Sequence, residues 1–242
     1  DAFLPHCEVA KMVGQSNAGQ PIALIATAGN NDGHHSHTDV GSFILHVNGE
    51  SLICEMGRGR YSREYFRQSR YETPFTNSFG HSLPRIGGHL QAPGPEFGGR
   101  KQFYGTIVEH DFNTADKYVT IDMQNAYDVQ NLTLARRTLR LNATSGEVAL
   151  LDVFEFDGDP LEIEEALVTW STVEVDGATA RIIGTNAAIK LTIQEPTTAV
   201  FEATSLDQVS REHHKDSILT RLSIQLPRGT PRFHVHMQPL RR

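Results

Sequence analysis

From residue 20 onward, short runs of β-branched and aromatic residues recur between clusters of Gly, Pro, Asn and Asp, and no other feature constrains the chain as tightly. Runs this short, bounded by turn residues, fit half-buried strands; helical spacing is scarce. The clearest are 21–26, 42–47, 51–55, 118–124, 132–141, 148–156, 161–171, 180–183, 188–194, 199–203, 218–226 and 232–237. About a dozen strands exceed a small immunoglobulin-like unit. The expectation is an all-β fold, a large antiparallel β-sandwich of two stacked sheets occupying residues 1–242 as one domain.

One hairpin is specified closely. Asn48-Gly49 lies between two apolar runs and favours a type I′ turn, whose twist matches that of the flanking strands. The register then sets Val47 opposite Glu50, Leu45 opposite Leu52, Phe43 opposite Cys54 and Ser42 opposite Glu55. Glu55 is thereby returned to the segment just before Ser42. Cys54 shares a face with Leu52 and reads as a small buried apolar residue. With Cys7 it is one of two cysteines, too few for a disulfide framework.

No apolar run approaches the roughly 20 residues of a membrane-spanning helix, so no membrane partner is expected. Lys and Arg number 22 against 29 Asp and Glu, a formal charge of −7, which argues against nucleic acid as a partner. The opening residues Asp1-Ala2-Phe3-Leu4-Pro5 lack the charged and apolar regions of an export signal.

Against this acidic background, residues 57–71 carry Arg58, Arg60, Arg63, Arg67 and Arg70, no lysine and the single acid Glu64. Tyr61, Tyr65, Phe66 and Tyr71 are interleaved with them. A solvated face is the plain explanation of a charge run. Repeated use of arginine, whose planar fork matches carboxylate and sulfate, makes an anion-binding surface at least as good a reading. Residues 84–101, rich in Gly and Pro, read as loop.

The densest histidine cluster, His34-His35-Ser36-His37-Thr38-Asp39, stands immediately before the hairpin. On extended chain, residues i and i+2 point the same way, so His35 and His37 can face one site. The hairpin brings Glu55 close, and His81 offers another imidazole. Two imidazoles and a carboxylate suit a divalent metal, zinc first and calcium less well. A polar loop is the plain alternative. A cupin is disfavoured, because Val40, Gly41 and Ser42 stand where its glutamate is needed. Elsewhere, His46 alternates with apolar residues, His234 and His236 share a face of the last run, and His213-His214 reads as solvated loop.

The ordered segments His35-Ser36-His37-Thr38-Asp39-Val40-Gly41-Ser42-Phe43, Val47-Asn48-Gly49-Glu50, Cys54-Glu55-Met56-Gly57, Tyr61-Ser62-Arg63, Gly80-His81-Ser82-Leu83-Pro84 and Gly88-His89-Leu90-Gln91 resemble the C-terminal β-sandwich of heparinase II/III-like polysaccharide lyases. The motifs cover roughly residues 30–92. The resemblance implies a structural zinc held by His37, Glu55 and His81, with Glu55 where the family usually has Asp and Ser36 and Thr38 in place of its asparagines. It implies that His35 faces the substrate cleft.

It further implies cleavage of uronate-containing acidic polysaccharides or oligosaccharides, a glycosaminoglycan such as heparin or heparan sulfate, or alginate, by β-elimination. The C5 proton of a uronate is too weakly acidic for a free side chain to remove, so a site must neutralise the carboxylate and hold the developing charge. Tyr65 is the expected proton-transfer tyrosine, and Arg60, Arg70 and Tyr71 the expected substrate contacts. In the family an N-terminal helical toroid of the same protein completes the cleft, and this chain contains no sequence that builds one. Alone it is expected to be inactive or nearly so. The alternatives are a non-catalytic carbohydrate-binding or scaffold module with this fold and a metal-dependent hydrolase.

Overall fold

The computed structural model describes residues 1–33, 36–94 and 102–241. Among the described residues eighteen strands form, more than the runs read from sequence. They are β1 (Ala2–Leu4), β2 (Val9–Gln15), β3 (Pro21–Thr27), β4 (Gly29–Asn30), β5 (Phe43–Val47) and β6 (Glu50–Ile53). After them come β7 (Arg85–Ile86), β8 (Tyr104–Asp111), β9 (Asp116–Asp122), β10 (Leu132–Asn142), β11 (Val148–Phe156) and β12 (Ile163–Thr169). The last are β13 (Thr172–Asp176), β14 (Thr179–Ile183), β15 (Ala188–Glu195), β16 (Glu202–Ser205), β17 (Thr220–Gln225) and β18 (Arg232–Leu240). One short α-helix, α1 (Asp207–Glu212), precedes β17.

All pairings are antiparallel, and the strands form three sheets, not two. Nine strands run in the order β13-β14-β15-β18-β11-β10-β9-β8-β4. A five-stranded sheet, β1-β2-β3-β5-β6, and a four-stranded sheet, β16-β17-β12-β7, complete the fold. The smaller two are joined at one point, where the Cys54 amide donates to the Val168 carbonyl at 3.2 Å. The expected second layer is therefore divided.

Period-two alternation explains the main core. In β10 the buried residues are Leu132, before a register shift, and then Ala135, Arg137, Leu139 and Leu141; in β11 they are Val148, Leu150, Asp152 and Phe154. They pack with Leu24, Phe43 and Leu45 of the five-stranded sheet in one continuous cluster. A smaller cluster of Met56, Phe75, Val168 and Leu219, flanked by Trp170, Leu206 and Val209, fixes α1. Among the described residues no helix is long and apolar enough to cross a membrane.

The Asn48-Gly49 hairpin forms, with Asn48 at φ 51° and Gly49 at φ 85°. Val47 faces Glu50 as expected, but Leu45 faces Ile53 in place of Leu52. The ladder ends at Ile53, so the expected opposition of Phe43 with Cys54 does not form and the Cys54 amide turns to Val168, while Ser42 still meets Glu55 through its hydroxyl. A β-bulge places one extra residue on β6, so that consecutive Leu52 and Ile53 both enter the core. Cys54 is buried as expected. Of the loop read at 84–101, residues 95–101 lie outside the described residues, and β7 interrupts the remainder.

A Cβ at Gly49 meets nothing within 4 Å, so a substitution there isolates the cost of left-handed backbone. Gly49→Ala is expected to lower stability by about 1–2 kcal/mol. In urea denaturation the midpoint should fall with the slope unchanged.

Candidate functional site

Three segments converge at one end of the sandwich: residues 36–42 before β5, Glu55 just after β6, and His81 after a 3-10 turn at Ser78–Gly80. In that turn the Asn77 side chain accepts from the Phe79 amide at 3.0 Å, and the His81 amide donates to the Ser78 carbonyl at 3.3 Å. Gly80 is required there, since a Cβ would strike the Pro74 carbonyl and the Met56 sulfur.

His37 and His81 stand with ring centroids 5.4 Å apart. Metal-capable atoms of His37, Asp39 and His81 all lie within 4.8 Å of one another. Glu55 reaches the same place from the hairpin: one carboxylate oxygen accepts from the Ser42 hydroxyl and the other meets His81 Nδ1. Burial, then the Arg70 charge, lowers the His37 pKa to about 4; burial, then His37, lowers that of His81 to about 3. Both rings are thus neutral at ordinary pH. The contact with Glu55 is then a hydrogen bond from the His81 Nδ1–H, which leaves the Nε2 lone pair available. That Nε2 is buried and has no hydrogen-bond partner. Burial raises Asp39 to about 6.

A buried imidazole nitrogen without a partner, beside a second neutral imidazole and two carboxylates, fits a divalent cation of the zinc type. Asp39 belongs to this cluster although sequence reasoning gave it no role.

The loop bearing His37 and Asp39 is held on every side. Arg70 Nη2 donates to the Ser36 carbonyl, and the Tyr71 hydroxyl approaches the same oxygen at 3.4 Å. The Thr38 amide donates to the Thr76 carbonyl at 2.9 Å. Gln91, almost fully buried, pairs its side-chain amide with both the N–H and the carbonyl of Val40, at 3.1 and 2.6 Å.

Beneath lies Arg137, fully buried. Its Nε and Nη2 engage Asp152 at 2.9 and 2.6 Å, and its Nη1 donates to the carbonyls of Gly41 and Ser82 at 2.9 and 2.6 Å. One guanidinium therefore ties the residue two past Asp39 to the residue after His81. Glu165 lies 3.6 Å from Nη2. Burial, then the Asp152 charge, raises its pKa well above the usual carboxylate range and favours its neutral form.

The basic segment forms the rim. A depression of about 280 Å³ is lined by Arg60, Ser62, Tyr65, Arg70, Thr73 and His213. Tyr65 is only 8% exposed; its hydroxyl is hydrogen-bonded to the Gly59 backbone, and burial raises its pKa. Arg60 is exposed. Arg70 is nearly buried and lies over the Tyr71 ring at 4.7 Å; both residues reach the Ser36 carbonyl, and of the two only Arg70 lines the depression. His35 lies outside the described residues.

Of the pair read from sequence as solvated loop, His214 is an exposed turn residue, whereas His213 is half-buried. The His213 ring stacks on Phe75 at 4.2 Å and its Nδ1 accepts from the Arg60 amide at 2.9 Å. Neighbours 153 residues apart in sequence leave no local signal of such an approach.

Two outcomes follow from the Arg137 cluster. Arg137→Met leaves Asp152 charged in the core and two carbonyls unpaired, and is expected to cost about 3–5 kcal/mol in denaturant unfolding. For Glu165, a carboxyl raised on folding favours the folded state below its unfolded pKa and loses that contribution as pH rises toward the folded value. Thermal midpoints of Glu165→Gln and the parent should therefore match near pH 4 and diverge in favour of the variant above it.

The family described as heparinase II/III-like, C-terminal, matches residues 2–234. No curated protein sequence matches significantly. Among solved structures, the Heparinase III-BT4657 gene product superposes with a TM-score of 0.74 at 11% identity, covering 100% of this chain and 36% of that one. Another heparinase III gives 0.67 at 14% identity, covering 91% of this chain and 33% of that one. The heparan sulfate lyase HepC from Pedobacter heparinus gives 0.67 at 13% identity, covering 94% and 36%. The chain thus spans about a third of the length of those proteins, and it belongs to the heparinase II/III-like C-terminal domain family.

Proposed function

We propose that this chain is the β-sandwich part of a polysaccharide lyase that cleaves uronate-containing acidic polysaccharides, heparan sulfate or heparin ahead of alginate, by β-elimination. The observation that carries the reading is the meeting of His37, Asp39 and His81, with Glu55 on His81 Nδ1, next to a depression lined by Arg60, Tyr65 and Arg70, of which Arg70 also holds the Ser36 carbonyl of the metal-capable loop. The heparan sulfate lyase among the structural neighbours supports the choice of polymer. A helical toroid of the same protein, facing the rim, is the proposed partner that closes the cleft.

In this reading a base removes the C5 proton of the uronate, the electron pair is held as an aci-carboxylate, and the C4–O bond breaks as its oxygen gains a proton. Arg60 neutralises the sugar carboxylate. Tyr65, held protonated by burial, is suited to deliver the proton to the departing O4. His35 is assigned to the cleft by family resemblance. His37, Asp39 and His81 would hold a structural zinc, and Glu55, on His81 Nδ1, would orient that ligand with Nε2 toward the ion. Such an ion would supply a positive charge beside buried Asp39 and tie the loop carrying His37 to the segment carrying His81. Elimination consumes no water, so a water-activating metal is not required.

Zinc analysis of the purified chain should find one equivalent, lost in His37→Ala and His81→Ala and held roughly 10- to 100-fold more weakly in Glu55→Gln. Trp170, the sole tryptophan, donates through its indole N–H to the Glu55 carbonyl at 3.1 Å, so its fluorescence should shift on metal removal. A well-folded chain that takes up no zinc would sink the metal assignment.

The protein carrying this chain is expected to generate unsaturated-uronate absorbance on heparan sulfate, and Tyr65→Phe to reduce kcat by about 100-fold or more. No absorbance on heparan sulfate, heparin, chondroitin, hyaluronan or alginate, with saccharide binding retained, would replace the lyase by a non-catalytic binding module.

A further inference from the structure

The turn between α1 and β17 brings two imidazoles and the Lys215 ammonium up to the basic segment, from the opposite end of the sequence. Arg60 Nη1 lies 3.2 Å from His214 Nε2. His213 accepts from the Arg60 amide, and its Nε2 lies 3.4 Å from the Thr73 hydroxyl. Lys215 donates to the Arg58 carbonyl at 2.7 Å while its ammonium sits 4.9 Å from the centre of the Phe75 ring. The approach is close: a Cβ on Gly59 would stand 2.8 Å from His213 Nδ1.

His214 adopts φ 55°, a conformation that costs a non-glycine residue and is maintained by its surroundings. Among the described residues no carboxylate lies within ion-pair distance of Arg58, Arg60 or Lys215, whose partners are carbonyls, rings and imidazoles. Of the nearby acids, Asp207 pairs with Arg211 and Glu212 accepts from Gln208, while Asp216 follows Lys215 and borders the same side of the turn. Glu72, on the adjoining wall of the depression, is the acid a ligand would also meet. In a chain of net charge −7, uncompensated cations gathered in this way create a local positive field that attracts anions.

We propose that Arg60, His214 and Lys215, with Arg58 behind them, form an anion-binding subsite distinct from the metal-capable cluster, taking a sulfate or carboxylate substituent of a sugar residue. The subsite rests on the acidic-polysaccharide reading for the nature of its ligand. Its donors come from two elements, Arg58 and Arg60 from the basic segment and His214 and Lys215 from the α1–β17 turn, held together by the Arg60–His214 and Lys215–Arg58 contacts. His213 is a positioning residue: stacked on Phe75 and bonded to the Arg60 amide, it sets where the Arg60 guanidinium emerges.

The test is calorimetric titration of the chain, His214→Gly and Arg60→Gln with three tetrasaccharides: sulfated heparan, the same sugar desulfated with its carboxylates intact, and a neutral one. Glycine at 214 removes the imidazole and relieves the left-handed backbone, so the thermal midpoint should hold or rise while acidic-ligand affinity falls. Both variants are expected to bind the acidic tetrasaccharide about three- to tenfold more weakly, less so at raised salt, with the neutral sugar unaffected. Loss confined to the sulfated ligand assigns a sulfate; loss on both acidic ligands assigns a carboxylate. Variant affinities equal to the parent's, or no acidic-ligand binding by the parent, overturn the subsite. Weakened binding in the variants without any unsaturated product from the parent protein keeps the subsite and removes the lyase reading.

Discussion

A buried guanidinium governs the site's architecture. Arg137 and Asp152 stand directly opposite each other on β10 and β11, both on the inward face. Removing such charges from water is costly, and the cost is recovered only where the geometry satisfies each donor. The fork of Arg137 meets this condition in two directions, gripping Asp152 on one side and the carbonyls of Gly41 and Ser82 on the other. A lysine has no such planar fork and cannot reproduce the arrangement. The two loops that present His37, Asp39 and His81 thus hang from one cation, whose position is set by the register of the central sheet.

The loop itself shows a division of labour along the chain. Ser36, Thr38, Val40 and Gly41 are fixed through their main-chain groups, by Arg70 and Tyr71, by the Thr76 carbonyl, by Gln91 and by Arg137. Between them, the side chains of His37 and Asp39 are left to meet His81. Fixing the backbone before any ligand arrives reduces the entropy lost on binding, and places ligand atoms more accurately than a free histidine-rich loop would. In the proposed zinc site, Glu55 on His81 Nδ1 sets the tautomer that exposes Nε2.

Much of this was legible in the residues. Alternation marked the strands, Asn48-Gly49 marked the hairpin, and the spacing of the histidine cluster marked the loop. The same alternation carried an unused signal: Arg137 falls in phase with Ala135 and Leu139, Asp152 with Leu150 and Phe154, and Glu165 with Ile163 and Leu167. Charged residues on the inward phase of neighbouring strands point to a buried polar network. The divided second layer and the β6 bulge were not legible, because tertiary packing of Leu52 and Ile53 overrode strict alternation. Nor was the approach of His213 to Arg60, which depends on where the small Met56–Phe75–Val168–Leu219 core seats the final turns.

The placement of the two groups of basic residues also bears on chemistry. Behind the rim, burial holds His37 and His81 neutral, a state suited to donating lone pairs. At the rim, Arg60 and Lys215 have no carboxylate partner within ion-pair distance among the described residues. A uronate chain meeting this surface encounters the uncompensated charges first, while the metal-capable cluster stays behind the Ser36 carbonyl, held there by Arg70. Binding and loop rigidity are thus assigned to different residues. A variant that abolishes metal uptake should disturb substrate affinity only as far as the loop relaxes, whereas a change at Arg60 acts on affinity directly and leaves the loop intact.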